Sequence, residues 1–184
     1  RWSVENGNYS ANTLLYYMHN YTDIEIYTDY FIKSKADDIG LFHESNLEYD
    51  NHKLVFGFEA SQSNIPLDMN ISKPDSLDEP DFDFTTSEKI VINRTIEVKS
   101  LSLFLQDIYS LTENFRVRYG VRAGHSDYQN YGSYLDPRVS LVYDINKQNT
   151  ISASVGQYTQ TPDGFKSTAE MGNINLTYEQ AMHY

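Results

Sequence analysis

The sequence predicts an all-β chain, built as an antiparallel meander of about eight to nine strands. Three observations predict it. Apolar and polar residues alternate with period two in run after run along the 184 residues. Most runs are about ten residues or longer, against about five or six for a mean soluble strand. Sixteen Tyr and nine Phe accompany a single Trp, and such rings favour strands.

Composition narrows the function classes. With 40% hydrophobic and 22% charged residues the chain is compatible with a folded protein. A net charge of −12 argues against a nucleic-acid partner. The absence of cysteine excludes a disulfide framework and a thiolate metal site. No apolar run approaches the roughly eighteen residues of a membrane-spanning helix. The longest, Leu14 to Met18, is short. The opening stretch RWSVENGN has no initiator Met and no apolar signal core, so it is not read as a native secretory start.

In chain order the expected strands are Ala11–Asn20, Thr22–Ile32, Ile39–Tyr49, Lys53–Ser63, Ile96–Ser110, Phe115–Tyr128, Leu135–Ile145 and Thr150–Tyr158, with a last one opening near Thr177. Four of them alternate most clearly. Leu54, Phe56, Phe58 and Ala60 oppose Lys53, Val55, Gly57, Glu59 and Ser61. Val117, Tyr119, Val121 and Ala123 oppose Arg116, Arg118, Gly120, Arg122 and Gly124. Leu135, Pro137, Val139, Leu141, Tyr143 and Ile145 oppose Asp136, Arg138, Ser140, Val142 and Asp144. Ile151, Ala153 and Val155 oppose Thr150, Ser152, Ser154 and Gly156.

The links carry a second signal. Short polar turns are expected at Asn20–Thr22, Asp50–His52, Leu111–Asn114 and Asn146–Asn149. Longer links are expected at Lys33–Asp38, Asn64–Thr95, Gln129–Tyr134 and Thr159–Leu176. Strict alternation of short and long is the pattern of an outer-membrane barrel, with short turns at one end and long loops at the other.

Periodicity alone does not separate such a barrel from a soluble sandwich, in which the apolar faces meet in a core. Three features favour the barrel. Arg116, Arg118, Arg122 and Arg138 recur on polar faces, where Glu44, Glu59, Glu97 or Asp107 would pair with them across a wet lumen. Tyr16, Tyr17, Tyr30, Tyr109, Tyr128, Tyr134 and Tyr143 fall near strand ends, where aromatic girdles lie. The longer links all fall at one end.

From Leu101 onward the residues resemble a known family. Ser102-Leu103-Phe104-Leu105-Gln106-Asp107 is similar to a strand ending in aromatic-x-Gln-Asp. Leu111-Thr112-Glu113-Asn114 leads into Phe115-Arg116-Val117 and then Tyr119-Gly120-Val121-Arg122. Asp136-Pro137-Arg138 opens a strand that runs to Tyr143. Thr150 to Gly156 is followed by Thr161-Pro162, then Gly172-Asn173-Ile174-Asn175-Leu176 and Glu179 to Tyr184. In this order the pieces resemble the C-terminal barrel of TonB-dependent outer-membrane receptors. Ile174 and Tyr178 stand where that family usually has Pro. The first hundred residues share only the strand style.

The resemblance implies a section of a 22-stranded transmembrane β-barrel over residues 1–184, without the family's plug domain and with a long acidic loop at 64–95. It implies the bacterial outer membrane as location and no enzyme activity. Implied partners are outer-membrane lipid, the plug and remaining strands, a TonB-type energy-coupling protein and a small-molecule ligand. The implied function is energy-dependent uptake of a scarce nutrient, a siderophore-type iron complex first among the family's ligands. The alternatives are a complete small outer-membrane barrel serving as adhesin or structural protein, and a soluble β-sandwich binding module.

Candidate ligand residues lie on the long links: Tyr128, Tyr131, Tyr158 and Phe165. Pro162 and Met171 share the last link, which in the family helps close over the ligand. The 64–95 stretch holds Asp68, Asp75, Asp78, Glu79, Asp81, Asp83 and Glu88 against Lys73, Lys89 and Arg94. It reads as a solvated acidic loop, with a surface ligand loop or a hard-cation site as the alternative. Its acidity disfavours a strongly anionic ligand. His19, His43, His52, His125 and His183 are scattered without metal-ligand spacing. No nucleophile motif, phosphate loop, metal set or cofactor signature is found.

Overall fold

The computed structural model describes residues 1–27, 30–72, 89–162, 166–170 and 172–184. Among them lie nine strands in one sheet, in sequence order. They are β1 (Trp2–Asn6), β2 (Tyr9–Tyr27), β3 (Tyr30–Tyr49), β4 (His52–Ser72), β5 (Lys89–Ser110), β6 (Phe115–Ser126), β7 (Gly132–Asn146), β8 (Asn149–Gln160) and β9 (Glu179–His183). Every neighbouring pair is antiparallel. The meander is therefore as expected. A sandwich is not: among the described residues there is one sheet, and its apolar face has no second sheet against it. Nor does β9 pair with β1 among the described residues, so the nine strands do not close into a small barrel.

The register assigns the faces. Through the lower half of the sheet, toward the short turns, the outer face carries Leu41, Leu54, Phe56, Phe58, Leu101, Leu103, Leu105, Val121, Pro137, Val139, Leu141 and Ala153 in adjoining positions. Many of these side chains are exposed, Leu103 at 54%. An apolar band left bare in this way is the lipid-facing surface of a membrane barrel. The inner face of the same rows carries Glu44, Glu59, Ser102, Gln106, Arg122, Arg138 and Ser140.

The strands β2 to β5 hold 19, 20, 21 and 22 residues. About 9–11 residues cross a bilayer when tilted, so these strands continue well beyond it. Where they leave it, the faces exchange polarity. On β4 the outward residues become Gln62, Asn64, Pro66, Asp68 and Asn70, while Ile65, Leu67, Met69 and Ile71 turn inward. On β5 Ile90, Ile92, Ile96 and Val98 turn inward, opposite Asn93, Thr95, Glu97 and Lys99. Met69, Ile71, Ile90 and Ile92 form a buried cluster with Ile32 and Leu67 packed against it.

This exchange explains the corrections to the expected elements. The turn expected at Asn20–Thr22 lies inside β2, and the link expected at Lys33–Asp38 lies inside β3. Three expected strands are thus two, and β1 was not anticipated. Asp23, Lys33, Lys35 and Asp37 are polar because they face water on the outside of a projecting strand, not because the chain turns there. For the same reason 64–72 and 89–95 are strand rather than loop. Links and strands do not alternate strictly in length either, since only residues 28–29 separate β2 from β3. The longer links still share one end.

Girdle and lumen expectations are corrected in detail. Tyr16 and Tyr17 sit mid-strand in β2; Tyr16 turns inward over Gly40, where a Cβ would fall inside its ring. Asp107 faces outward, near the short-turn rim. It is 5% exposed and accepts hydrogen bonds from Tyr119 Oη and His52 Nδ1, each at 2.6 Å. Such pairing is what lets a carboxylate lie on an otherwise apolar face. Arg116 pairs with Asp144 at 2.7 Å on the next strand, and Arg138 lies 4.0 Å from Asp136 on its own strand, while Arg122 donates to Ser102 Oγ on β5 at 3.4 Å.

Val121 and Ser140 test the assignment of faces. Val121→Arg should destabilise the barrel by about 2–4 kcal/mol in bilayers, whereas Ser140→Arg on the inner face should cost clearly less. Urea titration of both variants in lipid vesicles checks this; equal costs would contradict the assignment.

Candidate functional site

Inside the projecting half of the sheet the exchange of polarity builds a cavity. One wall is Ile24, Ile32, Ile65, Leu67, Ile96 and Val98, all inward by register. The other wall comes from two links at the same end: Tyr128 and Tyr131 between β6 and β7, and Thr161, Pro162 and Thr168 between β8 and β9. Its volume is about 750 Å³, within the roughly 300–1,000 Å³ usual for ligand pockets. Thr22, Ser34, Ser100 and Ser126 add hydroxyls, and no charged side chain lines it among the described residues.

Local chemistry holds the links in place. Gln129 takes a left-handed conformation at φ 51°, and Gly132 follows at φ 66°, which lets five residues reverse the chain. The Gln129 side-chain amide donates to the Ser167 carbonyl at 2.5 Å, and Asn130 donates to the Ile174 carbonyl at 3.1 Å. Tyr178 Oη donates to the Gly132 carbonyl at 3.3 Å. Arg94, inward on β5, meets Glu170 at 3.1 Å. The 166–178 segment is therefore tied both to the β6–β7 link and to the far wall, across the cavity.

A chain of rings continues from it. Tyr128 meets Tyr131 edge-on at 5.5 Å, Tyr131 meets Tyr178 at 5.2 Å and Tyr178 meets Tyr134 at 5.1 Å. The Arg122 guanidinium lies 5.8 Å from the Tyr134 ring. Burial raises the pKa of the Tyr178 hydroxyl above its ordinary value, with Tyr134 and Tyr131 contributing. Tyr134 also covers Gly124, where a Cβ would strike its ring. Beneath lies a lumen groove in which Glu44, Glu59, Arg122 and Arg138 share the lining with Phe42 and Phe104. The arrangement is two-tiered, with an uncharged cavity above a charged passage.

The expected site residues divide. Tyr128 and Tyr131 come together on the cavity wall, and Tyr131 is only 6% exposed. Tyr158 stays apart: it is inward on β8 with the Arg138 guanidinium 4.5 Å above its ring and His183 edge-on at 4.8 Å. Phe165 and Met171, and the acidic residues from Asp75 to Glu88, lie outside the described residues. The aliphatic wall and the Tyr134–Tyr178 stack were not foreseen. The period-two run Ile65, Leu67, Met69, Ile71 was the signal for the wall, hidden beside Pro66 and the acidic residues.

Comparison with known proteins fits this geometry. The family described as TonB dependent receptor-like, beta-barrel, matches residues 1–184. The chain belongs to that family. This TonB-dependent receptor barrel accordingly lies in the bacterial outer membrane, and its family is one of transport receptors. It is 28% identical over 124 residues to the iron-regulated outer membrane virulence protein of two Vibrio cholerae O1 strains, covering 67% of this chain and 16% of theirs. The chain thus spans about a sixth of the curated relatives it matches. A mutant ferric enterobactin receptor, PfeA, from Pseudomonas aeruginosa shares the fold with TM-score 0.68 at 16% identity, over 91% of this chain and 25% of that one. The siderophore receptor PirA from Pseudomonas aeruginosa gives 0.57 at 15% identity, over 95% of this chain and 34% of that one. The copper transporter OprC also gives 0.57 at 15% identity, over 86% and 28%.

Two substitutions test how the site is held. Glu170→Ala should speed proteolytic cleavage within 166–178 while changing stability by less than about 1 kcal/mol, since the ion pair is part-exposed. Gly124→Val should displace Tyr134 and uncover Tyr178, read as faster nitration of Tyr178 by mass spectrometry. Unchanged cleavage and nitration would show that neither contact holds the segment.

Proposed function

We propose that these residues form one section of the wall of a larger, 22-stranded receptor barrel that takes up a siderophore-type iron complex. The carrying observation is the two-tiered inner face. An apolar, tyrosine-walled cavity sits at the end with the longer links, above a lumen bearing Arg122, Arg138, Glu44 and Glu59. Such a cavity buries the organic part of a ligand, and the polar groove below provides a wet path. Tyr128 and Tyr131 are the contact residues of this reading, with Tyr158 and Phe165 as further candidates lower on the lumen and on the last link.

The open sheet supports the rest of the proposal. β1 covers only the first part of β2, and β9 only the last part of β8. The free stretches of β2 and β8 carry backbone donors and acceptors that hydrocarbon does not satisfy. Further strands of the same barrel would pair them, a plug would fill the lumen, and an energy-coupling protein of the TonB type would drive release. Lipid covers the outer band.

Cells carrying the full-length receptor, starved of iron, are the test. Uptake of radio-iron supplied as a siderophore complex should fall by about tenfold in Tyr131→Ala, a loss of about 1.4 kcal/mol in binding. Uptake should be abolished without the energy-coupling protein. Uptake unaffected by both changes would refute the reading.

A further inference from the structure

We infer that β7 and β8 part along a seam at their outer ends, and that Asp136 is the latch that holds it shut. The ladder between the two strands stops at Arg138 opposite Gly156. Both strands go on beyond that point. β7 continues to Gly132 paired with β6, and β8 continues to Gln160 paired with β9. Residues 132–137 and 157–160 therefore face each other without a backbone ladder, and all of them are among the described residues.

Side chains take over where the backbone stops. Asp136 is only 1% exposed. Its Oδ1 accepts from Thr159 Oγ1 at 2.6 Å, and its Oδ2 accepts from the Thr159 backbone N–H at 3.2 Å. Gln157 Nε2 donates to the Leu135 carbonyl at 3.2 Å. Backbone groups of both strands thus find partners, as a wall beside lipid requires. A ladder of many bonds opens only as a cooperative unit, whereas a few side-chain bonds give way locally while the sheet stands. The pivot is Gly156, the last paired residue of β8, whose backbone turns more freely than that of other residues.

The latch sits between the cavity and the groove. Just past the pivot, the Tyr158 ring lies 4.5 Å from the Arg138 guanidinium, and Arg138 is itself 4.0 Å from Asp136. On the other side Gln160 Nε2 donates to Glu179 of β9 at 2.8 Å. β9 follows directly on the tied segment, which meets the β6–β7 link through Asn130 and Tyr178. Swinging the outer end of β8 about Gly156 draws Tyr158 away from Arg138, a residue of the groove lining. A displacement of the segment beside the cavity is thereby passed to a charged group in the lumen.

The test is hydrogen exchange, read by mass spectrometry, on the full-length receptor in lipid vesicles. Amides of residues 157–160 should exchange at least about tenfold faster than those of 150–155. Asp136→Ala should speed them by a further factor of about ten. Thr159→Val should speed them less, because the Thr159 N–H keeps its acceptor. The double variant should be no faster than Asp136→Ala alone, since both changes break one latch. Exchange over 139–155 should stay unchanged, which also shows that each variant is folded. In Thr159→Val, where Asp136 still faces Arg138, phenylglyoxal should modify Arg138 several-fold faster as Tyr158 leaves it. Exchange at 157–160 as slow as at 150–155 in the unaltered receptor overturns the inference. So does acceleration spread evenly over 139–160 in the variants, or an Arg138 modification rate that does not change. No siderophore enters these measurements, so they are decided apart from the iron-uptake reading.

Discussion

Backbone hydrogen bonding in hydrocarbon is the constraint on which the structure depends. Inside a bilayer an unpaired N–H or C=O has no water to turn to, so a strand is stable there only between two others. The long ladders of β3, β4 and β5 meet that demand almost without interruption, from His52 opposite Tyr109 to Ser72 opposite Lys89. Once the ladder is fixed, alternation follows: each residue must suit lipid or lumen, and its neighbours must suit the other side. The apolar band through Phe56, Leu103, Val121 and Val139, and the polar groove behind it, are two readings of one register.

The same register places the cavity. No new element is needed to make it. β4 and β5 simply continue past the lipid, and the sides that suit them exchange. Water now bathes the outside, so Asn64, Asp68 and Glu97 face out, while Ile65, Leu67 and Ile96 line the inside. The tyrosines of the β6–β7 link and the tied segment before β9 then close the other wall. A binding surface of this kind is held by rigid strands on one side and by short-range hydrogen bonds on the other.

Much of the sheet was legible because alternation is strong where lipid is the judge. The faces of Arg116–Gly124, Leu135–Ile145 and Thr150–Gly156 lie as their residues imply. Legibility failed where the environment changed along a strand. Asn20, Thr22, Lys33 and Asp37 carry the composition of turns, and Pro66 with the acidic residues near it carries that of a loop. Yet period two persists through Ile65, Leu67, Met69 and Ile71, with its phase reversed relative to Phe56 and Phe58. Of the proposed site, Tyr128 and Tyr131 were legible as tyrosines at or beside the expected longer link Gln129–Tyr134. The Tyr178 stack was not, since ring contacts between links some fifty residues apart leave no local pattern.

The exchange of faces has one more consequence. It marks a waterline on the protein. Ala60 and Leu101 end the outward apolar runs of β4 and β5 that face lipid, and Gln62 and Lys99 are the first polar outward residues above them. Sinking the sheet by two residues, about 6–7 Å along the strand, would drag Gln62 and Lys99 into oil. Raising it by as much would lift Ala60 and Leu101 into water. The barrel wall therefore floats at one depth, and its vestibule is held clear of the lipid at a height written into the strands themselves.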